Sequence, residues 1–176
     1  MDQKLFLIIN SLSGQTIWLD KLIYFCAVYL PWITVAFLII LILSKRKWLE
    51  IFKGLFIFFS AGLAWFLAGL FKYIYFSPRP FMELFVNKPL FTMEVWWDSF
   101  PSGHAVFFAA LAGSAFGLKQ KKWGLYLSTM AIIIALARVA AGVHWPSDVV
   151  VGLLFGGAVG FLLGHFFKRV FPKKDN

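Results

Sequence analysis

At 176 residues, 61% of them hydrophobic, 20% aromatic and only 14% charged, the chain carries more apolar surface than a soluble domain of this size can bury. A mean hydropathy of +0.80 says the same, so composition excludes a soluble domain and points to an integral membrane protein. The formal net charge of +9 does not point to nucleic acid, because the cations sit in short clusters between apolar runs, the pattern of membrane topology signals. The single cysteine, Cys26, excludes an intrachain disulfide framework and a thiolate metal site. The opening residues, with Asp2 and Lys4 and no small-residue cleavage site, read as part of the mature chain.

Residues 3–12 are apolar but too few to cross about 30 Å of hydrocarbon, and Ser13-Gly14 separates them from the next apolar run, so they read as a short interfacial helix. The run Leu22 to Ser44 has no charge and is long enough to span, with Pro31 predicting a kink. A second span runs from Gly54 to Phe71 and can extend through Phe76, with Lys72 reaching towards the interface; Pro78 and Pro80 should end any helix there. Residues 81–100 mix Glu83, Lys88, Glu94 and Asp98 with Phe85, Phe91, Trp96 and Trp97, which suits a loop grazing the headgroups, anchored by the two tryptophans. Further spans are expected from Gly103 to Leu118, from Trp123 to Ala141 and from Val149 to Phe167, the last leading into a basic tail. The expectation is an all-α polytopic bundle of about five spans plus a short N-terminal helix, forming one unit over residues 1–176. Gly152, Gly156, Gly160 and Gly164 recur every four residues on the last span, and Ala109, Gly113 and Gly117 on the third, giving small-residue faces for close helix packing.

Placing the loops after spans one and three and the tail on one side gathers 11 of the 17 Lys and Arg residues there, and that side is cytoplasmic by the positive-inside rule. Three polar islands then fall together on the extracytoplasmic side: Lys72 to Pro80, Pro101 to His104, and Arg138 to Asp148. Ionisable groups near the bilayer are costly, roughly 2.5 to 3.5 kcal/mol at its centre for Arg, Lys or Asp, so such a cluster is a functional-site candidate.

Each cation alone could be an interfacial anchor. Lys72, Arg79 and Arg138 at one depth, without a matching carboxylate cluster, fit an anionic ligand, since arginine forks match phosphate oxygens and lysine adds a point charge. Pro101-Ser102-Gly103-His104 is ordinary helix-start chemistry by itself, but beside those cations it offers unpaired backbone N–H groups and a glycine that lets a phosphate approach. His144 and Asp148 are four residues apart and would share a face if the segment is helical, the carboxylate orienting the imidazole as a nucleophile. His104 would then serve as general acid, whereas His165, near the cytoplasmic end of the last span, reads as a helix-end residue. No His, Cys, Asp and Glu spacing fits a metal, and the fixed cations would neutralise charge in its place, so metal-independent chemistry without a cofactor is expected.

The three islands resemble the signature motifs of the type 2 phosphatidic acid phosphatase superfamily: Lys-x6-Arg-Pro at Lys72 to Pro80, Pro-Ser-Gly-His at 101–104, and Arg-x5-His-x3-Asp at Arg138 to Asp148. The resemblance implies a membrane helical bundle in which His144 forms a phosphohistidine, Asp148 orients it and His104 is the general acid, while Lys72, Arg79, Ser102, Gly103 and Arg138 bind the phosphoryl group. Ala137 departs from the pattern, which usually has serine before the arginine. Short size and the opening pattern Ile9-Asn10-Ser11-Leu12, Leu19-Asp20 and Tyr29-Leu30-Pro31 are similar to bacterial members acting on undecaprenyl diphosphate, lipid A 1-phosphate or phosphatidylglycerophosphate. The implied setting is the bacterial inner membrane with the site facing the periplasm. The implied partner is an isoprenoid, glycolipid or phospholipid phosphate, with no nucleic acid. A phosphotransferase using the same histidine and an anion channel or transporter using the same cations are the alternatives.

Overall fold

The computed structural model describes residues 1–84, 89–91 and 98–171, and among these it contains helices and no strands. Helix α1 covers Asp2–Asn10; α2 (Ile17–Tyr24), a π-helical turn (Phe25–Tyr29) and α3 (Leu30–Leu43) form one continuous rod; α4 covers Trp48–Ile74, α5 Pro80–Glu83, α6 Gly103–Gly117, α7 Lys121–Ala140 and α8 Pro146–Val170. Four of these rods, Ile17–Leu43, Trp48–Ile74, Lys121–Ala140 and Pro146–Val170, are long and apolar enough to cross a membrane. Their outer faces expose Trp32, Ile40, Leu55, Phe59, Leu154 and Phe166 to the surroundings, as lipid-facing surfaces require.

The third expected span, α6, is an apolar helix of 15 residues, about 22 Å long and short of the roughly 30 Å of hydrocarbon. Its place in the bundle accounts for the length: eleven of its fifteen residues are buried, and it packs on α4, α7 and α8. A helix sheathed by protein need not match the bilayer by itself. The stripes of small residues put it there. A methyl group added at Gly156, Gly160 or Gly164 would run into the backbone carbonyl of Val106, Ala110 or Ser114, each pair one helical turn further along, so α6 and α8 lie parallel with backbones in contact.

Prolines mark the irregular points of the helices, and α4 ends at Ile74, ahead of Pro78 and Pro80. The irregularity near Pro31 is the π-helical turn at Phe25–Tyr29, just before the proline, where its ring displaces the preceding turn and it has no N–H to give the Ala27 carbonyl four residues back. Pro80 itself begins the short helix α5, since a missing N–H is harmless at a first helical position. Helix α1 lies against α7 and α8 with Phe6 and Asn10 buried. The expected anchoring tryptophans, Trp96 and Trp97, lie outside the described residues.

Candidate active site

The three polar islands meet at one end of the bundle, where α4 ends and α6 and α8 begin. Lys72 stands in the last turn of α4 and donates from Nζ to the Asp98 carbonyl at 2.9 Å. Arg79, in the segment before α5, is 5% exposed; its Nη1 donates to the Val143 carbonyl at 2.8 Å and its Nη2 to the Asp98 carbonyl at 3.3 Å. Arg138, in the last turn of α7, is buried, lies over the Phe91 ring at 5.3 Å and reaches the Ala27 carbonyl at 3.4 Å from Nη1. That carbonyl is the one Pro31 cannot bond through its missing N–H, so the proline on α3 helps explain why an arginine on α7 finds an acceptor there.

His144 is 3% exposed in the connection between α7 and α8, which turns at Gly142 with φ +82, a left-handed conformation that glycine adopts without strain. Its Nδ1 lies 3.4 Å from Asp148 Oδ2, and its Nε2 lies 3.5 Å from Arg79 Nη1. The pairing does not arise from one helical face, because α8 begins at Pro146, after His144. Asp148 is instead the third helical residue, and its carboxylate reaches back to accept the Trp145 N–H at 2.8 Å in a capping arrangement that also brings it to the imidazole. Trp145 is held from behind by donation of its indole N–H to the Pro78 carbonyl at 2.9 Å. Burial pushes the His144 imidazole well below its ordinary pKa, with Arg138, Arg79 and Lys72 adding to the effect and a Ser99 hydrogen bond opposing it, so the ring is neutral at physiological pH. Burial also lowers Arg79, against Asp148 and Asp98.

Ser99 was not singled out by sequence. It is fully buried; its hydroxyl donates to Asp148 Oδ2 in a short hydrogen bond and lies 3.3 Å from His144 Nδ1. Its position three residues before Ser102, in a stretch read as an interfacial loop, hid it.

Ser102 is the N-cap of α6 and donates its backbone N–H to the Asp148 carbonyl at 3.1 Å, tying the starts of α6 and α8 together. Its hydroxyl is buried without a hydrogen-bond partner among the described residues. Gly103 is next, and a β-carbon there would come within 2.9 Å of the Trp65 indole nitrogen, so no larger residue fits without displacing that ring. His104, in the first turn of α6, lies within electrostatic reach of Arg138, His144 and Arg79. Beside it opens a cleft of about 290 Å³ walled by Pro31, Trp32, Val35, Gly62, Trp65 and Phe107. Ala137 packs in an apolar cluster with Ile23, Ala27, Ala140 and Ala141, surroundings that ask for no hydroxyl. His165 lies far along α8, stacked on Phe161 with ring centres 6.0 Å apart. Among the described residues no group of three His, Cys, Asp or Glu side chains is placed to hold a metal. Every side chain named from the motifs is thus at this end of the bundle.

Residues 53–172 match the PAP2 superfamily, and the chain belongs to that family. It is 33% identical over 156 residues to an undecaprenyl-diphosphatase of Sulfolobus acidocaldarius, covering 88% of this chain and 70% of the relative. A lipid A 1-phosphatase of Rhizobium johnstonii is 31% identical over 121 residues, 66% of this chain and 48% of that protein, so the chain spans about half of that relative. The crystal structure of Aquifex aeolicus LpxE superposes with a TM-score of 0.74 at 27% identity, covering 92% of this chain and 93% of that one. The Bacillus subtilis PAP2-type phosphatidylglycerolphosphate phosphatase superposes at 0.72 with 22% identity and shares the fold. Membership of the family and the membrane-crossing helices make this chain a multi-pass membrane lipid phosphatase.

Proposed function

We propose that the protein hydrolyses a lipid diphosphate of the polyprenyl type in two steps through a phosphohistidine on His144. The observation that carries this reading is the orientation of the His144 ring, with Nδ1 against Asp148 and Nε2 turned towards Arg79 in a buried cluster of cations. The carboxylate favours the tautomer with hydrogen on Nδ1, which leaves the Nε2 lone pair to attack phosphorus. As the bond from Nε2 to the terminal phosphorus forms, the bond from that phosphorus to the bridging oxygen breaks, and His104 gives that oxygen, now part of the departing lipid monophosphate, a proton. Asp148 stabilises the positive charge that develops on the imidazole. Water, losing a proton to His104, then attacks phosphorus and releases inorganic phosphate and His144. Lys72, Arg79, Arg138 and the backbone N–H of Gly103 hold the phosphoryl oxygens, where the fixed charges favour the charge-rich transition state. The unpartnered Ser102 hydroxyl is available to one of those oxygens. Because His104 must stand beside the leaving oxygen, the lipid attached to it departs on that side, where the apolar cleft begins.

The substrate class rests on the undecaprenyl-diphosphatase relatives, of whose length the chain covers 70% or more in the Sulfolobus and Escherichia coli proteins. Lipid A 1-phosphate is the second reading, favoured by the Rhizobium relative. The site is proposed to face the extracytoplasmic side, supported by the clustering of Lys45, Arg46, Lys47, Lys119, Lys121 and Lys122 at the opposite end of the helices. The test is phosphate release by purified protein in detergent with chelator present, from undecaprenyl diphosphate, lipid A 1-phosphate and phosphatidylglycerophosphate. Release from the polyprenyl lipid by wild type and its loss in His144→Ala are expected. Equal release by the variant, or transfer of phosphate to an added acceptor without free phosphate, would overturn the reading.

A further inference from the structure

At the end of the bundle away from His104 and His144, a cleft of about 500 Å³ opens between α3, α4 and α7. Its walls are apolar, formed by Leu38, Leu41, Ile42, Ile57 and Leu127, whereas Lys45, Lys119, Lys121 and Lys122 stand along it. Glu50 is the one carboxylate on the cleft among the described residues, and Lys53 pairs with it at 2.7 Å.

Three features of these lysines run against their own local interests. Lys121 and Lys122 occupy the first turn of α7, which holds no acidic residue; the positive end of a helix dipole repels cations and attracts anions. Lys119 has φ +61, a left-handed conformation after α6 that glycine or asparagine adopts at lower cost. Lys168 on α8 stands close enough to Lys119 for the two like charges to repel. Topology alone needs cations on this side, but it does not need them at a helix start, in a left-handed turn or close together. An anion between them relieves all three. Apolar walls below the charges define the remainder of the ligand as hydrocarbon.

We infer that this cleft binds an anionic phospholipid of the adjacent leaflet, its phosphate held by Lys119, Lys121, Lys122 and the exposed N–H groups of α7, and one acyl chain lying along Leu38, Leu41 and Ile57. The site is separate from the histidine centre, and the lipid is a ligand and not a substrate. Basic pockets between transmembrane helices at a cytoplasmic surface take anionic headgroups in this way.

The test is native mass spectrometry of the full chain in detergent with phosphatidylglycerol, phosphatidylcholine of the same chains, or inorganic phosphate added. Phosphatidylglycerol is a phosphodiester, and retention is read without turnover, so the result does not depend on the catalytic reading. Wild type should retain phosphatidylglycerol over phosphatidylcholine. The double variant K121Q/K122Q should bind it about thirtyfold more weakly, roughly fivefold for each cation removed. Leu41→Trp, which fills the cleft and keeps every charge, should also lose it. Both variants should keep wild-type phosphate release in detergent, which reports that they fold. Equal retention of the two lipids by wild type, or unchanged binding in K121Q/K122Q, would overturn the site. Unchanged binding in Leu41→Trp, or competition by millimolar inorganic phosphate as effective as by phosphatidylglycerol, would overturn the lipid as its occupant.

Discussion

Replacing Ser99 with alanine should slow catalysis without weakening substrate binding. The hydroxyl donates to Asp148 Oδ2 and approaches His144 Nδ1 at 3.3 Å, so it fixes the carboxylate against the imidazole edge. The same oxygen would keep the Trp145 N–H at 2.8 Å, with one donor fewer on it. A hydrogen bond to a charged group is worth about 1.5 to 3 kcal/mol. At about 1.4 kcal/mol for each factor of ten, kcat should fall by roughly ten- to 150-fold if the bond is felt fully in the transition state. KM should stay within twofold, because Ser99 faces the histidine–aspartate pair and not the cations that hold the phosphoryl group. The assay is steady-state phosphate release from the best lipid, with the melting temperature measured alongside. A kcat within twofold of wild type, or a raised KM with kcat intact, would refute the positioning role.

Four further outcomes follow from contacts in the site and in the bundle. His144 is held neutral by burial and by Arg138, Arg79 and Lys72, so its Cε1–H signal in protein lacking His104 and His165 should show no titration down through pH 6.5, and Arg79→Gln should move its pKa up. Because the folded protein resists protonating this ring and the unfolded chain does not, stability should decline as pH falls below about 6.5. Asn10 donates from Nδ2 to the Ala140 carbonyl at 2.8 Å in a buried contact, and Asn10→Ala should cost about 1 to 3 kcal/mol of stability, read as a lower melting temperature. Gly160→Val should be more damaging, since even a methyl group there meets the Ala110 carbonyl; loss of the folded, monodisperse protein in detergent is expected, whereas Gly62→Val, where a β-carbon meets nothing within 4 Å, should be tolerated.

Much of this architecture can be read from the chain. Hydropathy and cation clusters mark the spans, and the four-residue spacing of Gly152, Gly156, Gly160 and Gly164 marks the seam with α6. Lys72, Arg79, His104, Arg138, His144 and Asp148 announce themselves because ionisable groups are rare and costly in such surroundings. The remainder depends on approaches between distant segments. Nothing near Asp2 says that its carboxylate will accept from the backbone N–H of Ser147, 145 residues away, at 3.0 Å, and Asn10 is a lone polar residue whose acceptor lies 130 residues on. Ser99 looks like one more loop serine until α8 brings Asp148 to it. The reach of Asp148 back to His144 from the third position of a helix could not be told from a shared helical face by spacing alone. The shortness of α6 reflects its central place, which composition does not reveal.

The central claim is tested most directly by trapping the covalent intermediate. Purified protein mixed with polyprenyl diphosphate labelled in its terminal phosphate should be quenched in alkali within one turnover, because phosphohistidine is labile to acid, and the digested peptides sequenced by mass spectrometry. Label on His144, absent in His144→Ala and chased to inorganic phosphate on longer incubation, is the predicted result. Label on another residue, or turnover with no labelled protein at any time, would contradict the account.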